Sequence, residues 1–256
     1  IYKPEWSVGY ILVAGIVQNV FVLLLLKKEI SALRFSFDFD LWKQMMIYAV
    51  PLILVGLGGM VNETLDRIML GWWAPGGSPD ANKAIVGIYS ACYKLSILIT
   101  ISVQAFRMGA EPFFFKQAGT DNAQKTYARV MKFFVITLCI MFLMVALYLD
   151  IWKAFIRNPA MYVGLKVVPI LLLANIFLGI YYNLSIWYKL SNKTMAGAWI
   201  TIIGAIITIT INYFAIPYFG FMASAWATFF CYGTMMVISY QWGQKVYPIP
   251  YATKKL

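Results

Sequence analysis

Residues Thr194–Gln244, TMAGAWITIIGAIITITINYFAIPYFGFMASAWATFFCYGTMMVISYQWGQ, form a run of 51 positions without a single charged side chain. As one continuous helix, at about 1.5 Å per residue, the run would be about 76 Å long. The hydrocarbon core of a bilayer is only about 30 Å thick. The run must therefore fold back on itself. Pro217-Tyr-Phe-Gly220 supplies the proline and glycine of a turn, which predicts two antiparallel spans, about Ala196–Ile216 and Phe221–Trp242.

The rest of the chain repeats this pattern. Charge gaps predict five further spans. They lie between Glu5 and Lys27, from about Met45 to Trp73, from about Ile85 to Pro112, between Lys132 and Asp150, and between Lys166 and Lys189. The fold class expected is all-α: a polytopic transmembrane helical bundle of about seven spans. Composition agrees. Of 256 residues, 62% are hydrophobic and 12% charged, with a mean hydropathy of +0.74. A soluble domain of this size carries about 25% charged residues. Pro112 is expected to end or kink its helix.

Charge gives an orientation. Lys27, Lys28, Arg34, Lys43, Lys116, Lys125, Arg129, Lys132, Lys189, Lys193, Lys245, Lys254 and Lys255 fall on one side, thirteen in all, against five (Lys3, Lys83, Lys153, Arg157, Lys166) on the other. The positive-inside rule makes the first side cytoplasmic and places the C-terminus there. The net charge of +11 is then a topology signal and calls for no nucleic-acid partner. An outside N-terminus on an odd number of helices, in a chain that starts at Ile1, predicts a missing N-terminal part.

Between the first two spans, Leu33, Phe35, Phe37, Phe39 and Leu41 alternate with Arg34, Ser36, Asp38 and Asp40. Period two predicts an extended stretch with one apolar face, and Asp40 is the expected cap of the helix that follows. Gly56-Leu-Gly58-Gly59 lacks the Lys-Ser/Thr of a phosphate loop and is read as a site of close helix packing or bending.

Several chemistries are absent from the outset. The chain has no histidine, which removes Ser-His and Cys-His nucleophiles and imidazole relays. Cys92, Cys139 and Cys231 lie singly in apolar runs and are read as inert thiols. No cofactor is called for, and no catalytic residue is assigned. Ionisable residues inside spans are the strongest functional signal, because each costs about 2.5–3.5 kcal/mol at a helix centre on insertion scales. One span carries Asn62, Glu63, Asp66 and Arg67; the next carries Lys94, Gln104, Arg107 and Glu111. Glu63–Arg67 and Arg107–Glu111 are i,i+4 pairs. Counting from the outer helix ends puts Asp66 and Lys94 at similar depth, so the two are expected to meet. These eight residues are the candidate lining of a transport cavity.

The stretches Val50-Pro51-Leu52, Asn62-Glu63-Thr64-Leu65-Asp66-Arg67, Gly87-Ile88-Tyr89-Ser90-Ala91-Cys92-Tyr93-Lys94 and Gln104-Ala105-Phe106-Arg107-Met108-Gly109-Ala110-Glu111-Pro112 resemble the C-terminal half of the polysaccharide and O-antigen flippases of the multidrug/oligosaccharidyl-lipid/polysaccharide exporter superfamily. The resemblance implies one lobe of a two-lobed fold. Residues 1–26 would be the last helix of the N-terminal lobe, 27–43 a cytoplasmic connector, 44–245 a C-terminal lobe of six helices, and 246–256 a cytoplasmic tail. It implies a carrier in the bacterial inner membrane, not an enzyme, that moves polyprenyl-pyrophosphate-linked oligosaccharide to the outer leaflet. Its partners would be that lipid-linked substrate, the membrane lipids and the missing lobe. Lys94, Arg107 and Arg67 would meet the anionic pyrophosphate, with Asp66, Glu63 and Glu111 as their counter-charges. The competing readings are a Na⁺- or H⁺-coupled drug exporter of the same superfamily and a membrane-bound glycan polymerase or ligase.

Overall fold

The computed structural model describes residues 9–31 and 37–251, with nothing stated for the Ile11 side chain. Among these residues no strand occurs. The helices are α1 (Gly9–Leu25), α2 (Lys27–Ser31), α3 (Phe39–Trp73), α4 (Pro79–Gln117), α5 (Ala123–Leu147), α6 (Leu149–Trp152), α7 (Val168–Leu184), α8 (Ile186–Leu190), α9 (Thr194–Phe219) and α10 (Phe221–Val246), with 3₁₀ turns at Lys153–Phe155 and Pro159–Val167. Six stretches are long and apolar enough to cross a membrane: α3, α4, α5, Pro159–Leu190, α9 and α10. The protein is a multi-pass, all-α membrane protein. The seventh expected span corresponds to α1, whose 17 described residues cover about 25 Å.

The chain divides into two compact units, with the boundary between Met45 and Met46. In the first, α1 exposes Leu12, Ile16, Phe21 and Leu24. The expected extended stretch falls partly on Leu33, Arg34, Phe35 and Ser36, which lie outside the described residues. Its remainder is a correction: Phe39, Asp40 and Leu41 are helical. The helix starts two residues early because Asp38, not Asp40, caps it. Asp38 Oδ1 accepts from the backbone N–H of Asp40 and of Leu41, both at 3.0 Å. Trp42 then packs on Phe39, with ring centroids 5.5 Å apart.

The second unit has two ends. The basic end gathers the C-terminus of α4, the N-terminus of α5, the α8–α9 turn and the C-terminus of α10, with Lys116, Lys125, Arg129, Lys132, Lys189, Lys193 and Lys245. The other end holds the α3–α4 turn, α6 with the 3₁₀ turns, and the α9–α10 turn. Local chemistry fixes these turns. Ser78 Oγ caps α4 by accepting from Ala81 N, with Pro79 at the first helical position. Asn158 caps the second 3₁₀ turn through Ala160 N. Pro112 as a helix end is corrected, and so is Ile216 as the last residue of its span. Helix α4 runs through Pro112 to Gln117, and α9 runs through Pro217 to Phe219. The reversal between α9 and α10 rests on Gly220 alone, whose φ of +55° favours glycine. The segment after α10 folds back over its described part: Gln244 Nε2 donates to the Ile249 carbonyl at 2.7 Å, and Ile249 is buried.

The core sits between α4, α5, α7 and the 3₁₀ turns, around Tyr89, Ile99, Val103, Leu138, Leu171 and Leu172. A second cluster joins α7–α8 to α9 and α10 through Trp187, Tyr188, Ile200 and Tyr232. Helix α3 belongs to neither throughout its length. Pro51, Asn62, Asp66, Met69 and Leu70 are its buried positions, and four of these five lie in its last twelve residues. Between Met46 and Val61 only Pro51 is buried, and this stretch lines the cleft described next.

Candidate functional site

The cleft encloses about 540 Å³. Helix α3 supplies Tyr48, Leu52, Gly56, Gly59 and Glu63; α4 supplies Gln104, Arg107, Glu111 and Phe115; and Tyr182, Ser185, Tyr188 and Lys189 come from α7, α8 and the break between them. Tyr48 and Phe115 lie toward the basic end, while Glu63 and Gln104 lie farther from it. The two glycines shape the cleft. A Cβ on Gly56 or Gly59 would meet nothing within 4 Å, whereas one on Gly58 would lie 2.6 Å from Thr201 Cγ2 of α9. Gly58 lets the helices touch, and its neighbours keep the wall low.

Charge in the cleft is organised by Glu111. Its Oε1 accepts from Arg107 Nε at 2.8 Å, the i,i+4 pair expected from the sequence, and also from Lys189 Nζ at 2.6 Å. The Arg107 guanidinium lies over the Tyr182 ring, 4.7 Å from its centroid. Two cations on one carboxylate leave this cluster at +1, and Glu63 brings the cleft lining as a whole to formal neutrality. Glu63 lies farther from the basic end in the same cleft, without a salt bridge to any described residue.

Lys189 is placed by tertiary packing. Ser185 Oγ bonds back to the Tyr182 carbonyl at 2.6 Å, a contact that competes with the helix ladder, and α7 gives way to α8 there. Trp187 Nε1 then donates to Ser239 Oγ of α10 at 3.2 Å. Tyr188 lies so close to Gly197 of α9 that a Cβ there would be 2.7 Å from its ring. With those two aromatic anchors set, the next residue points its ammonium at Glu111.

Behind the cleft lies a buried polar seam. Asp66, 1% exposed, accepts a hydrogen bond from the Tyr89 hydroxyl at 2.6 Å. Tyr89 in turn meets the Thr228 side chain of α10. The Arg67 guanidinium lies 4.4 Å from the centroid of the Tyr93 ring; no salt bridge joins it to Glu63 among the described residues. Asn62 Oδ1 and the Tyr232 hydroxyl are buried without a protein partner. Both residues line a small cavity of about 20 Å³ bounded also by Gly59 and Glu63, enough for one water molecule.

The eight sequence candidates therefore separate into three places. Glu63, Gln104, Arg107 and Glu111 share the cleft. Asn62, Asp66 and Arg67 belong to the seam behind it. Lys94 is exposed and lines a different pocket, beside Trp152, Arg157 and Asn158. The expected Asp66–Lys94 meeting is corrected: Asp66 pairs with Tyr89, and Lys94 lies about 100° further round the helix than Tyr93. Sequence reasoning missed Lys189, Tyr182, Tyr188 and Tyr89. For Tyr89 a signal existed, because Tyr89 and Tyr93 form an i,i+4 aromatic pair on α4. Among the described residues, no group of three or more Cys, Asp or Glu side chains is placed to hold a metal ion.

Residues 5–118 match a family model described as polysaccharide biosynthesis protein. This stretch is similar to that family. The polysaccharide-biosynthesis-like stretch takes in α1 to the end of α4, and so contains Glu63, Asp66, Arg67, Arg107 and Glu111. Lys189 and the α7–α10 wall lie beyond it. No curated protein and no solved structure matches the chain.

Proposed function

We propose that the protein is a flippase for polyprenyl-pyrophosphate-linked oligosaccharide, a precursor of surface polysaccharide or O-antigen, in the bacterial inner membrane. In this reading α3–α10 form one lobe of a two-lobed carrier, the basic end and the C-terminus are cytoplasmic, and the cleft is half of a central cavity that faces the two leaflets in turn. The observation that carries it is the pair of cations in the cleft: Arg107 and Lys189 share a single carboxylate in a pocket walled by Tyr48, Tyr182 and Tyr188. A pyrophosphate is an anion that gains from such cations where water is scarce. Tyrosine rings offer apolar faces and hydroxyls to a glycan. The similarity of residues 5–118 to polysaccharide biosynthesis proteins supports the same substrate class. No bond is made or broken in this cycle, so the protein is not read as an enzyme.

The test is cellular. Depletion of the protein should make lipid-linked oligosaccharide accumulate in a form protected from reagents added outside the inner membrane. Re-expression of the complete protein should return it to the accessible leaflet. Accessibility that is unchanged on depletion contradicts the proposal.

A second reading, a cation-coupled exporter, draws on Asp66, a buried carboxylate with Tyr89 instead of a cation as its side-chain partner. It predicts uptake of Na⁺ or H⁺ during drug efflux and no change in lipid-linked glycan.

A further inference from the structure

Lys94 and Arg157 line one pocket of about 530 Å³ between the middle of α4 and the segment that follows α6. Both are cations, and no carboxylate is among the residues that line it. The third polar contributor is Asn158, whose Oδ1 is already occupied by capping Ala160 N, leaving its amide N–H groups. Asp150, the acidic residue closest to Arg157 in the chain, is engaged elsewhere: it pairs with Lys153 at 2.6 Å. That pairing holds its carboxyl below the usual range and the Lys153 ammonium above its own. Neither Lys94 nor Arg157 has a salt-bridge partner among the described residues.

The remaining walls are apolar. Ile97 and Ile101 follow Lys94 along α4, and Trp152 and Phe155 line the pocket with them. Trp152 stacks on Phe155, with centroids 5.6 Å apart and planes 25° apart, an aromatic pair of the kind that settles at the headgroup level of a bilayer. The site is firmly built. The 3₁₀ turn that follows Arg157 is seated so closely on α4 that a Cβ on Gly164 would lie 2.7 Å from both Cys92 Sγ and Ile88 Cγ2.

Two cations beside an aliphatic stripe have one natural ligand chemistry, an anionic phosphate joined to a hydrocarbon chain. We propose that this pocket is a lipid site. Lys94 and Arg157 hold the phosphate of an anionic phospholipid of the leaflet on the α6 side, and its acyl chain lies along Ile97 and Ile101. The lysine's apolar stem spans the helix face while its ammonium reaches the phosphate. The guanidinium offers the fork that fits phosphate oxygens. This site is separate from the Glu111 cleft and does not depend on what the protein transports.

The test uses the full chain in detergent, with dioctanoyl-phosphatidylglycerol, dioctanoyl-phosphatidylcholine and sodium phosphate as probes and retained ligand read by native mass spectrometry. The wild type is expected to retain phosphatidylglycerol in preference to phosphatidylcholine. Lys94→Met with Arg157→Gln is expected to lower that retention at least tenfold, while Lys94→Arg with Arg157→Lys keeps it. Ile97→Trp with Ile101→Trp leaves both cations but fills the chain path, and should also lose the lipid. This variant and the single loop change Arg157→Gln decide the matter if the double charge variant fails to fold. Undiminished retention in the charge variants overturns the site. Displacement of the lipid by millimolar phosphate alone shows a free-anion site and overturns the lipid assignment, as does undiminished retention in the tryptophan variant.

Discussion

Glu111 Oε1 is shared by Arg107 Nε at 2.8 Å and Lys189 Nζ at 2.6 Å, so one carboxylate of α4 ties its own helix to α8. The three groups are unequal in what their loss leaves behind. Glu111→Gln leaves two cations side by side without a counter-charge. Lys189→Gln leaves an intact Arg107–Glu111 pair. Glu111→Gln is therefore expected to lower the thermal unfolding temperature more than Lys189→Gln. Coupling between such neighbours is about 0.5–3 kcal/mol, and the Glu111 side chain, 31% exposed, belongs at the low end because solvent screens it. Equal losses in the two variants would show that the tie to α8 contributes nothing.

The seam and the Lys94 pocket make a second forecast. Asp66 is held by Tyr89 and Lys94 lies in another cavity, so Asp66→Asn and Lys94→Met share no partner. Their effects on stability should add within about 0.5 kcal/mol. A double variant much milder than the sum would mean that the two charges do meet.

The glycine row on α3 separates packing from cleft shape. Gly58→Ala drives a methyl against Thr201, a β-branched side chain with little room to rotate, and overpacking of this kind costs about 1–3 kcal/mol. Gly56→Ala meets open space and gains helix propensity of about 1 kcal/mol. Melting temperatures should fall for the first and hold or rise for the second. The reverse order would mean that α3 does not lean on α9 at Gly58.

Topology is checked by lysine labelling in intact cells. Lys83 and Lys153 are expected to react with an impermeant reagent from outside, and Lys125 and Lys254 only after permeabilisation. The opposite pattern would invert the molecule and place the basic end on the outer face.

Much of the fold was legible because spans are written as gaps between charges. The uncharged run from Thr194 to Gln244 gave two helices, and the Arg107–Glu111 pair followed from i,i+4 spacing alone. What escaped was direction around and between helices. Depth along two helices put Asp66 and Lys94 level, but azimuth decides contact, and on α4 the inward face is that of Tyr89 and Tyr93. Lys189 read as the charged end of a span. It turns inward because Ser185 breaks the helix and Trp187 and Tyr188 find partners on α10 and α9, contacts that no local pattern announces. Phe39–Leu41 read as alternating, yet two hydrogen bonds to Asp38 outweigh a three-residue periodicity.

The central claim is that Arg107 and Lys189 grip an anion during transport. It is tested most directly by export of lipid-linked oligosaccharide in cells carrying Arg107→Lys or Lys189→Gln in the complete protein, at matched expression and membrane insertion. Arg107→Lys keeps the charge that faces Glu111 but loses the planar fork that fits a pyrophosphate. The account predicts a fall of at least tenfold in export for each variant. Export at the wild-type level in both would reduce the Glu111 cluster to a packing device and contradict the account.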